Sequence, residues 1–162
     1  MTARAEPALT GADFLGFMRA WPTGIAVVTS TAGTAPVGCT VNAFTSISLR
    51  PPLLMVSLAR HSGTLAAIRR RESFGVNVLG FAHRLLATRF AAPGGDRFAG
   101  VDWSPQLGVP VLDAAAAAVV CDVRQIVEVA DHVLVFGSPC WCGQRDEDDP
   151  LVFFGSAHRR LG

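Results

Sequence analysis

Two residue types are missing from this chain of 162 residues, which has no Lys and no Tyr. All 14 Lys or Arg positions are Arg, set against 13 Asp and Glu, so the net charge is +1. We read the bias as the mark of a GC-rich genome. The near balance of charge says more about function, because a nucleic-acid binder carries a strongly basic face. The only basic run here is Arg69, Arg70 and Arg71, a solvated helix end favoured by the negative pole of the helix dipole. Nucleic acid is therefore not an expected partner. The 4 cysteines, Cys39, Cys121, Cys140 and Cys142, sit in neither a small secreted chain nor a zinc-type pair of pairs. Reduced thiols are expected, with no metal. No apolar run is long enough to span a bilayer, and Met1 to Leu9 lacks the apolar stretch of a signal peptide. A cytoplasmic protein with no membrane partner is the expectation. The sequence also lacks G-x-G-x-x-G after a strand, the phosphate-binding G-x-x-x-x-G-K-[ST] and the nucleophile elbow G-x-S-x-G. Dinucleotide-binding α/β sheets, phosphate-loop enzymes and serine hydrolases of the usual kinds are set aside.

What is present is half apolar, 50% of residues, enough for one core and not for two. A flexible tail over residues 1–9 followed by a single domain over 10–162 is the simplest division. Thr10 to Asp13 forms a helix start with an acidic residue in the first turn. Phe14, Phe17, Met18 and Trp21 then share one face until Pro22, and so rich a face must pack on a barrel wall or a second subunit. Gly24 to Ser30 is a strand that turns at Gly33 into the next. Leu53 to Leu58 is a further strand entered through Pro51 and Pro52. Ser62 or Thr64 is placed to cap a helix over Leu65 to Arg71, and the remaining free N–H groups at such a helix start form an anion site.

Phe74 to Leu79 reads as a strand and Phe81 to Phe90 as a helix, with Leu85, Leu86 and Phe90 available to the core. From Pro93 to Asp113 the residues are loop-like, the longest irregular region. Ala114 opens a long strand of period two, in which Cys121, Val123, Val127 and Val129 oppose Asp122, Arg124 and Glu128. Ala130 and Asp131 make a tight turn, and His132 to Gly137 returns. Asp146 to Asp149 reads as a solvated hairpin loop and Leu151 to Phe154 as the closing strand. Many strands, few helices and no βαβ rhythm predict a mainly β protein, an antiparallel barrel.

The chain is organised around Thr40 to Ser48, which reads as one strand. Val41, Ala43, Thr45 and Ile47 point one way, and Thr40, Asn42, Phe44, Ser46 and Ser48 the other. The second set places hydroxyls, an amide and an aromatic ring on one side. Such a surface suits a ligand with a polar edge and a flat apolar body, although a solvated edge strand would carry the same residues.

Thr23-Gly24-Ile25-Ala26-Val27-Val28-Thr29, Gly38 to Ser48, Pro51 to Leu58, Phe74 to Leu79, Arg89-Phe90-Ala91, Asp96-Arg97-Phe98, Gly108 to Asp113, Asp131-His132 and Pro150-Leu151 follow one another in an order similar to the flavin reductase domain family. The resemblance runs from about Phe14 to Gly155. It implies an FMN-binding split β-barrel of Greek-key type, homodimeric, that takes hydride from NADH or NADPH. It also implies a partner monooxygenase that receives reduced FMN, or FAD admitted to the same site.

By the resemblance, Thr40, Val41, Asn42, Ala43 and Ser46 meet the polar edge of the flavin. Ser57, Leu58, Ser62, Thr64 and Arg97 surround its phosphate side, and Phe90 and Phe98 border the ring. His132 stands where the family's Gly-Asp-His motif meets flavin and nicotinamide, with a positioning role and with Ala130 in place of the Gly. His61 and His83 are read as structural. His158 departs from an aromatic that the family carries after the last strand and a Gly, which implies a more polar pocket. A tightly held FMN acting on its own substrate, or a barrel that binds flavin without turning it over, are the competing readings.

Overall fold

In the computed structural model, residues 9–145 and 149–161 are described. Residues 1–8 of the expected tail and Asp146 to Asp148 of the expected acidic loop lie outside them. The described elements are helices α1 (Gly11–Met18), α2 (Gly63–Arg71) and α3 (Arg84–Ala91) and strands β1 (Thr23–Gly24), β2 (Ala26–Ala32), β3 (Ala35–Val41), β4 (Phe44–Leu49), β5 (Pro52–Ala59), β6 (Ser73–Leu79), β7 (Trp103–Gln106), β8 (Val109–Leu112), β9 (Ala115–Val129), β10 (His132–Gln144), β11 (Leu151–Phe154) and β12 (Ala157–Arg160).

Seven strands pair antiparallel in the order β3-β2-β6-β9-β10-β5-β4. The two edges of this sheet, β3 and β4, are consecutive in the chain and joined by the short bend at Asn42 and Ala43. A sheet whose first and last strands are so tied must roll up, and the backbone N–H of Ser57 donates to the Ala43 carbonyl at 2.9 Å just past the seam. The result is the split barrel that was expected. Its interior holds Val28, Val41, Val56, Leu58, Phe74, Val76, Val133 and Val135, with Leu65 and Ile68 of α2 packed into the same cluster. The opposite face of β2, β6 and β9 packs Val27, Leu79 and Val120 beneath α3 and the β7–β8 hairpin. Central strands therefore bury both faces, which is why β2 reads as an unbroken apolar and hydroxyl run rather than as an alternation.

Several expectations need correction. Thr40 to Ser48 is two strands, because the bend at Asn42 and Ala43 breaks it and a register irregularity follows between Ser46 and Ser48. The stretch from Pro93 to Asp113 contains the β7–β8 hairpin, so only its first part is irregular. Phe81 to Phe90 divides into a 3-10 turn at Phe81–His83 and α3, and Leu85 points to solvent while Phe90 is fully buried. Leu151 to Phe154 does not close the chain, since β12 pairs back on it and β1 pairs on its other side. Trp21 lies beyond the end of α1. The predicted start of that helix is found as a reciprocal cap, in which the Thr10 hydroxyl accepts from the Asp13 N–H and the Asp13 carboxylate accepts from the Thr10 N–H.

No helix among the described residues is long and apolar enough to cross a membrane.

Candidate functional site

The seam between β3 and β5 is the natural place for a site, because these two strands do not pair and the barrel wall is open between them. A groove of about 550 Å³ runs along it. Thr40 and Val41 from β3, Asn42 and Ala43 from the bend, and Ser57 and Leu58 from β5 line one length of it. Ser62 before α2, Arg97 from the loop after α3, and His132 at the start of β10 complete the predicted residues found there. Residues from five separate stretches of sequence thus converge on one groove. His132 reaches it because it pairs with Ala59 across the β5–β10 ladder.

The phosphate end of the expected site has the parts an anion needs. Ser62 caps α2, its hydroxyl accepting from the Leu65 N–H at 3.4 Å, and the cap residue's neighbour Gly63 opens the helix at the groove wall. A cap satisfies only part of the donor set of a helix start. Arg97 stands opposite. Its Nε donates to the Ala92 carbonyl at 3.0 Å and its Nη1 to the Gly38 carbonyl at 2.7 Å, which orients the guanidinium. Of the five N–H donors of an arginine, the rest remain for a ligand.

Beyond Gly63, Gly94 and Arg97, which border both spaces, the groove continues into a second cavity of about 630 Å³. Thr64 and Phe98 line this second cavity, together with Arg70.

Two predicted residues fall elsewhere. Ser46 stands exposed on β4, because the bend at Asn42 and Ala43 carries that edge strand away from the groove. Phe90 is fully buried, its ring edge-on to Phe98 at 4.9 Å, so it supports the wall and offers no face to a ligand. Phe98, 6% exposed, is likewise mainly a core residue at the cavity margin. The Thr40 hydroxyl is engaged too, donating to the Ala87 carbonyl of α3 at 2.6 Å.

Other residues line the groove without having been predicted. They are Cys39, Ala59, His61, Gly63, Ala91, Pro93 and Gly94. Cys39 lies on the groove wall beside the cap, its Sγ 3.8 Å from the Ser62 hydroxyl. His61 lies one residue before the cap, and proximity to the helix start was the available signal. His158, on β12, lines a neighbouring cavity of about 370 Å³ that shares Thr40, Val41 and Asn42 with the groove.

Electrostatics at the His132 end are local. The Asp131 carboxylate meets His132 Nδ1 at 2.9 Å, and that hydrogen bond, followed by the imidazole's charge, holds the carboxyl below its usual range. Glu128 is held low as well, first by the hydrogen bond from Arg69 and then by the charge of Arg60.

Known proteins set the class, since flavin reductases share this antiparallel split barrel. The sequence profile described as "Flavin reductase like domain" matches residues 18–162, and the chain belongs to that family. It is 39% identical over 160 residues to "Flavin reductase (NADH)" of Kitasatospora aureofaciens, covering 95% of this chain and 84% of the relative. It is 40% identical to "Stachydrine N-demethylase reductase subunit Stc3" of Rhizobium meliloti over 73% of this chain, but spans only 52% of that relative's length. Among solved structures, the styrene monooxygenase flavin reductase of Pseudomonas putida superposes with a TM-score of 0.86 at 32% identity, over 93% of this chain and 97% of that one.

Proposed function

We propose that this chain is an NAD(P)H:flavin oxidoreductase that reduces FMN, or FAD admitted to the same groove, and delivers the reduced flavin to a partner monooxygenase. The observation that carries the reading is the seam groove. It gathers the polar bend of β3, the capped start of α2, Arg97 and His132 into one continuous space. The relatives' names, one specifying NADH and two belonging to reductases of N-demethylase and monooxygenase systems, support the same activity.

Reduced nicotinamide and flavin supply the hydride chemistry when both are bound, so the protein's task is to hold the two rings against each other. The residues present fit that task. Asn42 and the backbone of the bend offer hydrogen bonds to the polar edge of a flavin, where negative charge develops on reduction. Ser62, the N–H groups opening α2 and Arg97 hold its phosphate. Ser57 and Leu58 form the wall between. His132, at the other end and 49% exposed in its side chain, positions the nicotinamide and leaves that face of the groove open. The second cavity, between Arg97 and Arg70, leaves room for the additional phosphate and nucleoside of FAD.

The protein acts as a homodimer in this reading. Support comes from α1, which buries none of its residues in the protomer and leaves Phe14, Leu15 and Phe17 exposed. Apolar patches of this kind are rarely left to solvent. A cytoplasmic location accords with the free thiols.

The test is oxidation of NADH and NADPH at about 340 nm, with and without added FMN, FAD and riboflavin. Turnover that rises and saturates with free flavin supports the reductase. Turnover independent of added flavin favours a tightly held FMN, and absence of turnover with flavin still bound overturns the enzyme.

A further inference from the structure

The turn that presents His132 is built on a residue poorly suited to it. Ala130 has φ 51°, in the left-handed region that Gly enters freely and a residue with a Cβ does not. Something must hold the turn there. Arg60 does so through both of the turn's carbonyls. Its Nη2 donates to the Ala130 carbonyl at 2.7 Å, and its backbone N–H donates to the Asp131 carbonyl at 3.0 Å.

The guanidinium is itself fixed. Arg60 Nη1 donates to Glu128 Oε2 at 3.0 Å, while Arg69 Nη2 of α2 takes the other oxygen, Oε1, at 2.9 Å. Arg60 also follows Ala59, the β5 residue paired with His132, and precedes His61 and Ser62, which line the groove. One side chain therefore ties the His132 turn to the strand and loop that form the groove wall. With Arg60 and Glu128 exposed by 41% and 50%, such a pair adds little to stability. Its effect lies in geometry.

We propose that Arg60, oriented by Glu128, is a positioning residue for His132, and that it replaces the conformational freedom a Gly at position 130 would provide. This inference rests on the reading of His132 as the residue that positions the nicotinamide. Arg60 has no contact with substrate in it and acts only through the turn.

The experiment is a double-mutant cycle on the full chain, with steady-state NADH oxidation, flavin affinity by fluorescence quenching and melting temperature read for every variant. Arg60→Met keeps the aliphatic stem and removes all guanidinium contacts. It is expected to lower kcat/KM for NADH by about tenfold, the scale of a small misplacement of a positioning group, while flavin affinity and melting temperature stay near wild type. Arg60→Lys, which retains the charge and not the fork, should lie between. Adding Ala130→Gly to Arg60→Met should recover most of the loss, because the turn then reaches its φ without help.

In a His132→Ala background, Arg60→Met should have no further effect. If His132→Ala itself leaves NADH turnover unchanged, the reading of His132 fails. If His132→Ala impairs turnover but Arg60→Met does not, or if Arg60→Met weakens flavin and NADH alike, the positioning role of Arg60 is overturned with the His132 reading intact.

Discussion

Arg97 donates through Nη1 to the Gly38 carbonyl at 2.7 Å, so the loop that follows α3 is fastened to β3 by the same side chain that lines the groove at its proposed phosphate end. The two tasks separate by ligand. Arg97→Ala is expected to weaken FMN binding more than riboflavin binding, since only FMN has the phosphate. Loss of an ionic hydrogen bond of this sort is worth about 1.5–3 kcal/mol, or roughly ten- to a hundredfold in Kd. Fluorescence titrations with both flavins decide it, and equal losses for FMN and riboflavin would remove Arg97 from the phosphate cradle.

Asn77 is the hub of a buried polar network on the far side of the sheet from the barrel interior. Its Nδ2 donates to the Val27 carbonyl at 3.0 Å and to Thr29 Oγ1 at 3.2 Å, and its Oδ1 accepts from the Leu112 N–H at 2.8 Å. Thr29 in turn donates to the Pro110 carbonyl. These bonds fasten the β7–β8 hairpin onto β2 and β6. Asn77→Ala leaves the Leu112 N–H and the Thr29 hydroxyl with fewer partners in a dry site, at about 1–3 kcal/mol for each unsatisfied group. A fall of several degrees in melting temperature is expected, at about 2–4 °C per kcal/mol. Flavin affinity of the folded fraction should be unchanged, and a melting curve identical to wild type would count against the network.

The barrel was legible in the sequence because its strands are bounded by Pro, Gly and Asx turns and because β9 alternates from Cys121 to Arg124; a bulge after Val123 then turns Ile126, rather than the expected Val127 and Val129, to the barrel interior. The candidate site came from the resemblance more than from periodicity. Thr40 to Ala43, Ser57, Ser62, Arg97 and His132 line one groove, yet no pattern within one stretch says that β3 and β5 face each other across a seam. What misled was local. The bend at Asn42 and Ala43 contains no Gly or Pro, so Thr40 to Ser48 read as a single strand and Ser46 was assigned to the wrong side of it. Phe90 carries no sign of whether its helix turns it to the core or to a ligand; the T-shaped contact with Phe98 settles that. His61 gave no signal beyond its position before the cap.

The exposed face of α1 predicts a change in assembly. Phe14 and Phe17 stack at 6.5 Å between ring centroids with no core beneath them, and Trp21 follows, 65% exposed. At eight residues such a helix is marginal even with its cap and the bonds of Arg19 to Gly155 and Ser156, so its apolar face needs a partner surface. Phe14→Ser with Phe17→Ser is expected to shift a dimer to a smaller species in size-exclusion chromatography with light scattering. A wild-type chain that is already monomeric at all concentrations would sink the homodimer.

The thiols report both on the core and on the groove. Cys121 is fully buried, and burial, helped by the nearby Cys140 and Asp122, pushes its thiol from the ordinary value near 9 up to about 12. The unfolded chain therefore releases this proton at lower pH than the fold does. The stabilisation is complete below about pH 9 and is lost progressively as pH rises toward about 12, so the melting temperature should decline across that window, and less steeply in Cys121→Ala relative to its own value at neutral pH. In the folded protein at about pH 8, Cys121 should resist alkylation by iodoacetamide, because the reactive form is the thiolate. Cys39 is different, half-buried on the groove wall beside Ser62. It should be alkylated in flavin-free protein and protected by saturating FMN, as read by peptide mass spectrometry. Rapid labelling of Cys121 would contradict the closed core, and labelling of Cys39 indifferent to FMN would place the flavin away from β3.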